Sequence, residues 1–233
     1  MFEHPLKNAY IGEPRDYTPT TNTVGYYPLN SSTTVNDKSW NSKNMTLSWT
    51  VTFGDYNWID CAYFNGGYLY INESLILGAN PRTISCWFNR ENAPSQWGAF
   101  WGMGNASSKN WITAYLHTNT PTWHYGYGNR QYDYWFTQMP TVWTWGLLTY
   151  TYTWTNIWVY LNGTYLWTPT YWSPSTTALT LNLTSWKTAI AQMPNLWAPA
   201  RKWHIAEFIV ENKTWTAQEV TDYYNSTKSK YWL

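Results

Sequence analysis

Turn signals recur along this chain at short intervals, and their rhythm limits the fold more than any other feature. From Val24 onward, short runs rich in Trp, Tyr, Thr and Val are cut by Asn, Gly, Asp, Pro and Ser at the spacing of an all-β sandwich. Residues 45–52 set Leu47, Trp49 and Val51 against Thr46, Ser48 and Thr50, which predicts one half-buried strand. Residues 83–88 put Ile84, Cys86 and Phe88 on one face, and residues 111–116, 123–127 and 132–136 are further strand-length runs. Residues 143–152 form the longest run, followed by 157–161 and then by Asn162-Gly163 leading to Tyr165. That order predicts a three-strand meander whose last turn has two residues that tolerate positive φ. Residues 204–210 form a closing strand. Thr216-Ala217-Gln218-Glu219 then reads as a capping box opening a short helix, with Val220, Tyr223 and Tyr224 on its apolar stripe.

Composition agrees with that class. Of 233 residues, 20 are Trp and 21 Tyr, aromatics reach 21%, and charged residues fall to 12%, half the usual share of roughly 25%. A chain of this length can bury one large core. Residues 1–20, broken by Pro5, Gly12, Pro14 and Pro19, read as an extended N-terminal arm ahead of a domain spanning 21–233. The first ten residues hold Glu3, His4, Pro5 and Lys7 and no apolar core, so no secretory signal is expected there. No run approaches the roughly 18 apolar residues of a membrane span. Net charge is +1 with dispersed Lys and Arg, which argues against a nucleic-acid partner. Cys61 and Cys86 lie in neighbouring strand candidates and could pair, but two buried free thiols are the expected state.

Several segments, in this order, resemble the concanavalin A-like, laminin-G-like jelly-roll family. Gly25-Tyr26-Tyr27-Pro28-Leu29-Asn30 with Val35-Asn36-Asp37 is similar to its opening strand, and residues 62–71 to a hairpin of that family. Thr83-Ile84-Ser85-Cys86-Trp87-Phe88 is similar to the strand after it. Leu147-Leu148-Thr149-Tyr150 with Trp158-Val159-Tyr160-Leu161-Asn162-Gly163 resembles its meander, and Ala206-Glu207-Phe208 with residues 215–220 its closing strand and helix. The resemblance implies a two-sheet antiparallel jelly roll with one short C-terminal helix. It departs from the family where Trp40, Trp154 and Trp203 stand at positions that usually carry Gly. Trp is strained in the backbone such turns favour. Two readings remain open: a stop codon decoded as Gly in the source, or aromatic enrichment of loops for binding.

Catalysis finds little support. Glucan-cleaving enzymes of this fold carry Glu and Asp at alternate positions of one strand, and no such strand is present. Glu207 and Glu211 share a strand face about 13 Å apart, and read as solvated charges at a sheet edge. His4, His117, His124 and His204 are scattered and form no metal-ligand spacing. No cofactor is expected. The resemblance leaves calcium open, with Asp16, Asp37, Asp55 and Asp60 as donors. Aromatics on both faces of a predicted hairpin make Trp123, Tyr125, Tyr127, Tyr132 and Tyr134 the candidate carbohydrate-binding residues. The leading expectation is a non-enzymatic virion structural or fibre protein of the kind phages build from such domains. It would sit on the virion surface, dock on other virion or surface proteins through the arm, and be a candidate for homo-oligomer formation and glycan adhesion. The alternative is a free carbohydrate-binding lectin module outside the cell or on its surface.

Overall fold

The computed structural model describes residues 16–30, 35–91, 98–105, 111–116, 123–126, 134–136, 139–154, 156–166, 170–171, 181–193 and 201–233. They form two antiparallel sheets and one C-terminal helix. The first sheet runs, edge to edge, β13 (Thr164–Tyr165), β12 (Asn156–Leu161), β11 (Trp145–Thr153), β6 (Arg82–Arg90), β16 (Arg201–Glu211), β4 (Ile59–Asn65) and β3 (Val51–Tyr56). Strand β1 (Thr23–Tyr27) pairs with the far end of β16, from Phe208 to Glu211. The second sheet runs β14 (Thr170–Tyr171), β10 (Tyr134–Phe136), β9 (Trp123–Gly126), β8 (Trp111–Leu116), β7 (Gly98–Gly104), β15 (Thr188–Ile190), β5 (Tyr68–Ile71) and β2 (Thr46–Ser48). The jelly-roll sandwich expected from the sequence is therefore present.

The core lies between the sheets. Ile84, Cys86 and Phe88 of β6 meet Phe100, Trp101 and Met103 of β7, with Phe88 edge-on to Phe100 at 4.6 Å between centroids. Burying large aromatics of this kind contributes most of the driving force for such a sandwich. A second apolar layer covers the outer face of the first sheet. There α1 (Ala217–Thr227) and the 3-10 turn Lys228–Tyr231 lay Val220, Tyr223 and Tyr231 on Trp87, Trp145 and Leu147. Tyr231 stacks on Trp87 at 3.9 Å. The predicted capping box starts this helix: Glu219 N–H donates to Thr216 Oγ1, and Thr216 N–H to Glu219 Oε2.

Three expectations need correction. Residues 45–52 are not one strand: β2 and β3 belong to different sheets, and Trp49 between them has φ 64°, where a strand cannot continue. Residues 62–71 are not a hairpin, because β4 and β5 also belong to different sheets. The chain crosses at Gly66, with φ 88°, and Gly67 sits so close to Thr50 that a Cβ would lie 2.4 Å from its carbonyl oxygen. Trp203 is no loop residue; it is fully buried in β16 and stacks on Phe100 at 4.2 Å. Cys61 and Cys86 are free and buried, and belong to the outer and inner apolar layers respectively, so β16 and the thickness of the sheet separate them. Of the N-terminal arm, residues 1–15 lie outside the described residues. Its end is packed on the domain: Tyr17 meets Tyr26 at 5.1 Å and Asp16 pairs with Lys230 at 2.7 Å.

Candidate functional site

Helix α1 packs on the outer face of the first sheet, and the buried carboxylates beside it are already engaged. Glu207 is fully buried on β16, where its Oε2 accepts from Tyr223 Oη at 2.8 Å. Its Oε1 accepts from Lys230 Nζ at 2.8 Å and Tyr231 Oη at 3.2 Å. Burial works against the Lys230 charge, yet Glu207 and Asp16 hold its ammonium above the ordinary lysine value. Glu211 is also buried; it accepts from Tyr17 Oη, from Thr23 Oγ1 at 3.1 Å and from Trp215 Nε1 at 2.5 Å. The expectation that both carboxylates are solvated at a sheet edge is therefore wrong. Both are structural acceptors that fasten the helix and the arm to β16, which an isolated strand pattern cannot show because the donors come from distant segments.

The outer face of the second sheet is built differently. Along β5, Leu69 enters the inter-sheet core while Tyr68 and Tyr70 alternate with it and stay half-exposed. Their ring centroids are 5.7 Å apart and tilted by 50°. Lys187, just ahead of β15, places its ammonium 5.8 Å from the Tyr68 ring and 5.3 Å from the Tyr70 ring. Neighbouring register positions carry small or hydroxyl residues: Tyr70 pairs with Thr46 on β2 and with Ala189 on β15, and Ala189 pairs with Gly102 on β7. The result is a pair of tilted aromatic faces and one cation beside a low floor. Such an edge can stack one face of a planar or pyranose-like ring and donate a hydrogen bond to a hydroxyl or carboxylate. Further across the sheet, Ala99, Trp111, Tyr115 and Met193 form a separate buried apolar cluster.

The sequence-predicted aromatics fall at the far side of this sheet. Trp123 and Tyr125 are in β9 and Tyr134 in β10, with Tyr125 opposite Tyr134 and Trp123 opposite Phe136. In the other direction Tyr125 is in register with Ala114 of β8, whose side chain is in the inter-sheet core. His124 is in register with Tyr115 on one side and Trp135 on the other. Tyr127 and Tyr132 lie outside the described residues. The sequence pattern does not bring Tyr68, Tyr70 and Lys187 together. The i, i+2 tyrosine spacing was visible, but Lys187 reaches them only through the β15–β5 pairing.

Of the aspartates considered for calcium, Asp37 accepts from Tyr26 N–H at 2.9 Å, Ser39 N–H at 2.8 Å, Ser39 Oγ at 2.7 Å and Lys43 N–H at 3.0 Å, which staples the loop after β1. Asp55 accepts from Trp58 N–H at 2.7 Å within the β3–β4 hairpin. Among the described residues no group of three or more His, Cys, Asp or Glu side chains is placed to hold a metal ion.

No protein-family model matches the chain, and no curated protein sequence does. Solved structures do. Domain 4 of AbnA, a GH43 extracellular arabinanase from Geobacillus stearothermophilus, in complex with arabinotriose, is similar with a TM-score of 0.67 at 17% identity, over 87% of this chain and 98% of that one. Trypanosoma rangeli sialidase is similar with a TM-score of 0.65 at 12% identity, over 91% of this chain and 34% of that one. The binding domain of botulinum neurotoxin DC in complex with SialylT has a TM-score of 0.64 at 13% identity, over 89% of this chain and 52% of that one. The chain thus spans nearly all of the arabinanase domain but only a part of the other two. At these identities the likeness is one of fold.

Proposed function

We propose that this protein is a glycan-binding β-sandwich module, a binder and not a catalyst, working outside the cell or on its surface, with Tyr68, Tyr70 and Lys187 as its sugar platform. The observation that carries the reading is the match to 98% of a domain whose structure holds arabinotriose. The half-exposed tyrosine pair supports it from within the chain. Two tilted rings offer stacking to a sugar face, and Lys187 supplies a donor beside them. The buried engagement of Glu207 and Glu211 supports binding over hydrolysis, since neither carboxylate is free to act as acid or nucleophile. The virion reading ranked first on sequence grounds and the lectin reading second; the three neighbours favour the second.

The test is titration calorimetry of the intact chain with arabinotriose and sialylated oligosaccharides, preceded by a glycan array. Tyr68→Ala and Tyr70→Ala should each weaken binding by about twofold to twelvefold, as expected for one lost stacking partner of about 0.5–1.5 kcal/mol. No glycan bound on the array, or affinity unchanged in both variants, would reject the reading. Loss of binding in Tyr125→Ala with Tyr70→Ala intact would move the site to the β9–β10 aromatics.

A further inference from the structure

Among the described tryptophans two groups stand apart. Trp87, Trp101, Trp111, Trp145, Trp203 and Trp215 are buried, at most 9% exposed, and none has positive φ. Trp49, Trp58, Trp143, Trp154 and Trp232 are between 53% and 80% exposed, and all five have positive φ, from 36° to 67°. Together they make up five of the eleven non-glycine residues with positive φ among those described. Asn and Asp normally dominate that class, and a bulky side chain there is an outlier.

Each local structure is one that glycine ordinarily fills. The β3–β4 hairpin joins Tyr56 to Ile59 through Asn57 and Trp58, with φ 52° and 67°, a two-residue primed turn. The β12–β13 hairpin joins Leu161 to Thr164 through Asn162 and Gly163, with φ 52° and 75°. Within one chain, the same turn is written once as Asn-Gly and once as Asn-Trp. Asn-Gly is the preferred pair for this geometry, because both central residues need positive φ. Trp232 caps the final 3-10 turn in the left-handed conformation, with its N–H on the carbonyls of Lys228 and Ser229, the place where helices favour glycine. Trp154 opens the β11–β12 hairpin, Trp143 sits in the turn before β11, and Trp49 is the joint where the chain changes sheets.

A shared binding surface does not explain the set. Trp143 and Trp154 flank the nine residues of β11, so they lie at opposite ends of a strand of about 30 Å. The property the five share is backbone conformation.

We propose that these five positions are glycine in the protein as its own cell makes it: a UGA codon at each is decoded there as glycine, and Trp appears only under a reading that takes UGA as tryptophan. The buried tryptophans are ordinary UGG codons. Trp40 and Trp186 are exposed but have no positive φ, and stand outside the proposal.

The gene itself gives the first test. Expected are UGA at positions 49, 58, 143, 154 and 232 and UGG at 87, 101 and 203. UGG at the five turns, or UGA at the core sites as well, overturns the inference. Peptide mass mapping of the protein from its native cells gives the second. Glycine masses at the five turns, with tryptophan retained at Trp87 and Trp203, are expected; tryptophan at the turns overturns it. As a third, recombinant chain carrying W49G, W58G, W143G, W154G and W232G together should melt several degrees above the all-tryptophan chain. A lower melting temperature would show that the indoles are native partners of the fold and sink the proposal.

Discussion

Acid should destabilise this fold through a buried histidine. His204 lies on the outer side of β16, buried, with its ring 3.9 Å from Tyr56 and 4.7 Å from Tyr63. Its Nδ1 has no hydrogen-bond partner. Burial between two phenol rings disfavours the imidazolium and brings the pKa from 6.5 down to about 4. The folded state therefore holds a neutral imidazole where the unfolded chain would take up a proton. Because the folded pKa is the lower one, the stabilisation is fully present above pH 6.5 and is lost as pH falls from there towards 4. A gap of that size corresponds to about 3 kcal/mol. In a chain of this length that loss lowers Tm by about 6–12 °C.

The assay is thermal unfolding followed by circular dichroism at intervals from pH 7.5 to 4, for the parent chain and for His204→Phe. Phenylalanine preserves stacking on Tyr56 and Tyr63 and cannot take up a proton. Other acid-sensitive groups behave alike in both proteins. One is Glu219, whose carboxyl is held below its ordinary value, against burial, by Lys213 and Thr216. The difference between the two profiles isolates the histidine. Parallel profiles would refute the reasoning and show that the imidazole is solvated or finds a partner when charged.

Two further outcomes follow from the packing. Gly163→Val should cost 1 kcal/mol or roughly more in urea unfolding, because φ is +75° there and an added Cβ would stand 3.1 Å from Tyr224 Cβ; unchanged stability would mean that the hairpin adopts another turn. Lys230→Met should lower stability by about 3 kcal/mol, since it leaves the buried Glu207 carboxylate with only two phenol hydroxyls; a loss below about 1 kcal/mol would show that the carboxylate takes up a proton at little cost.

What could be read from the sequence was whatever is encoded locally. Thr216 and Glu219 are three residues apart and satisfy one another's backbone, so the helix start needs no distant partner. Asn162-Gly163 specifies its turn for the same reason. The errors came where a distant segment decides. Residues 62–71 carry strand residues on both sides of a Gly pair, and nothing local says whether those strands pair or part. The packing of Gly67 on Thr50, a residue of the other strand junction, accompanies the change of sheet. Glu207 and Glu211 look like surface charges until Tyr17, Lys230, Tyr223 and Tyr231 arrive from the two ends of the chain. The candidate site has the same character. Tyr68 and Tyr70 declare a common face by their spacing, whereas Lys187 joins them only through pairing of β15 with β5.

The two proposals bear on one another through the aromatic surface. Taken at face value, exposed indoles on several loops would make almost any part of this molecule a plausible sugar site. Backbone conformation removes five of them from that competition, because a glycine position cannot also be an aromatic platform. Part of the outer face of the first sheet is withdrawn by a different cause: α1 and the turn after it pack on Trp87, Trp145 and Leu147, with Trp87 and Tyr231 stacked on one another. Among the described residues, the tyrosine pair of β5 is half-exposed on a sheet face with a cation beside it, while the exposed Trp40 and Trp186 lie outside the strands. One outer face of the sandwich thus carries the helix and its buried Glu207 network, and the proposed recognition edge lies on the other. In the proposed reading a shallow stacking edge suffices there, because groups mounted on a strand lose less freedom on binding than groups on a loop.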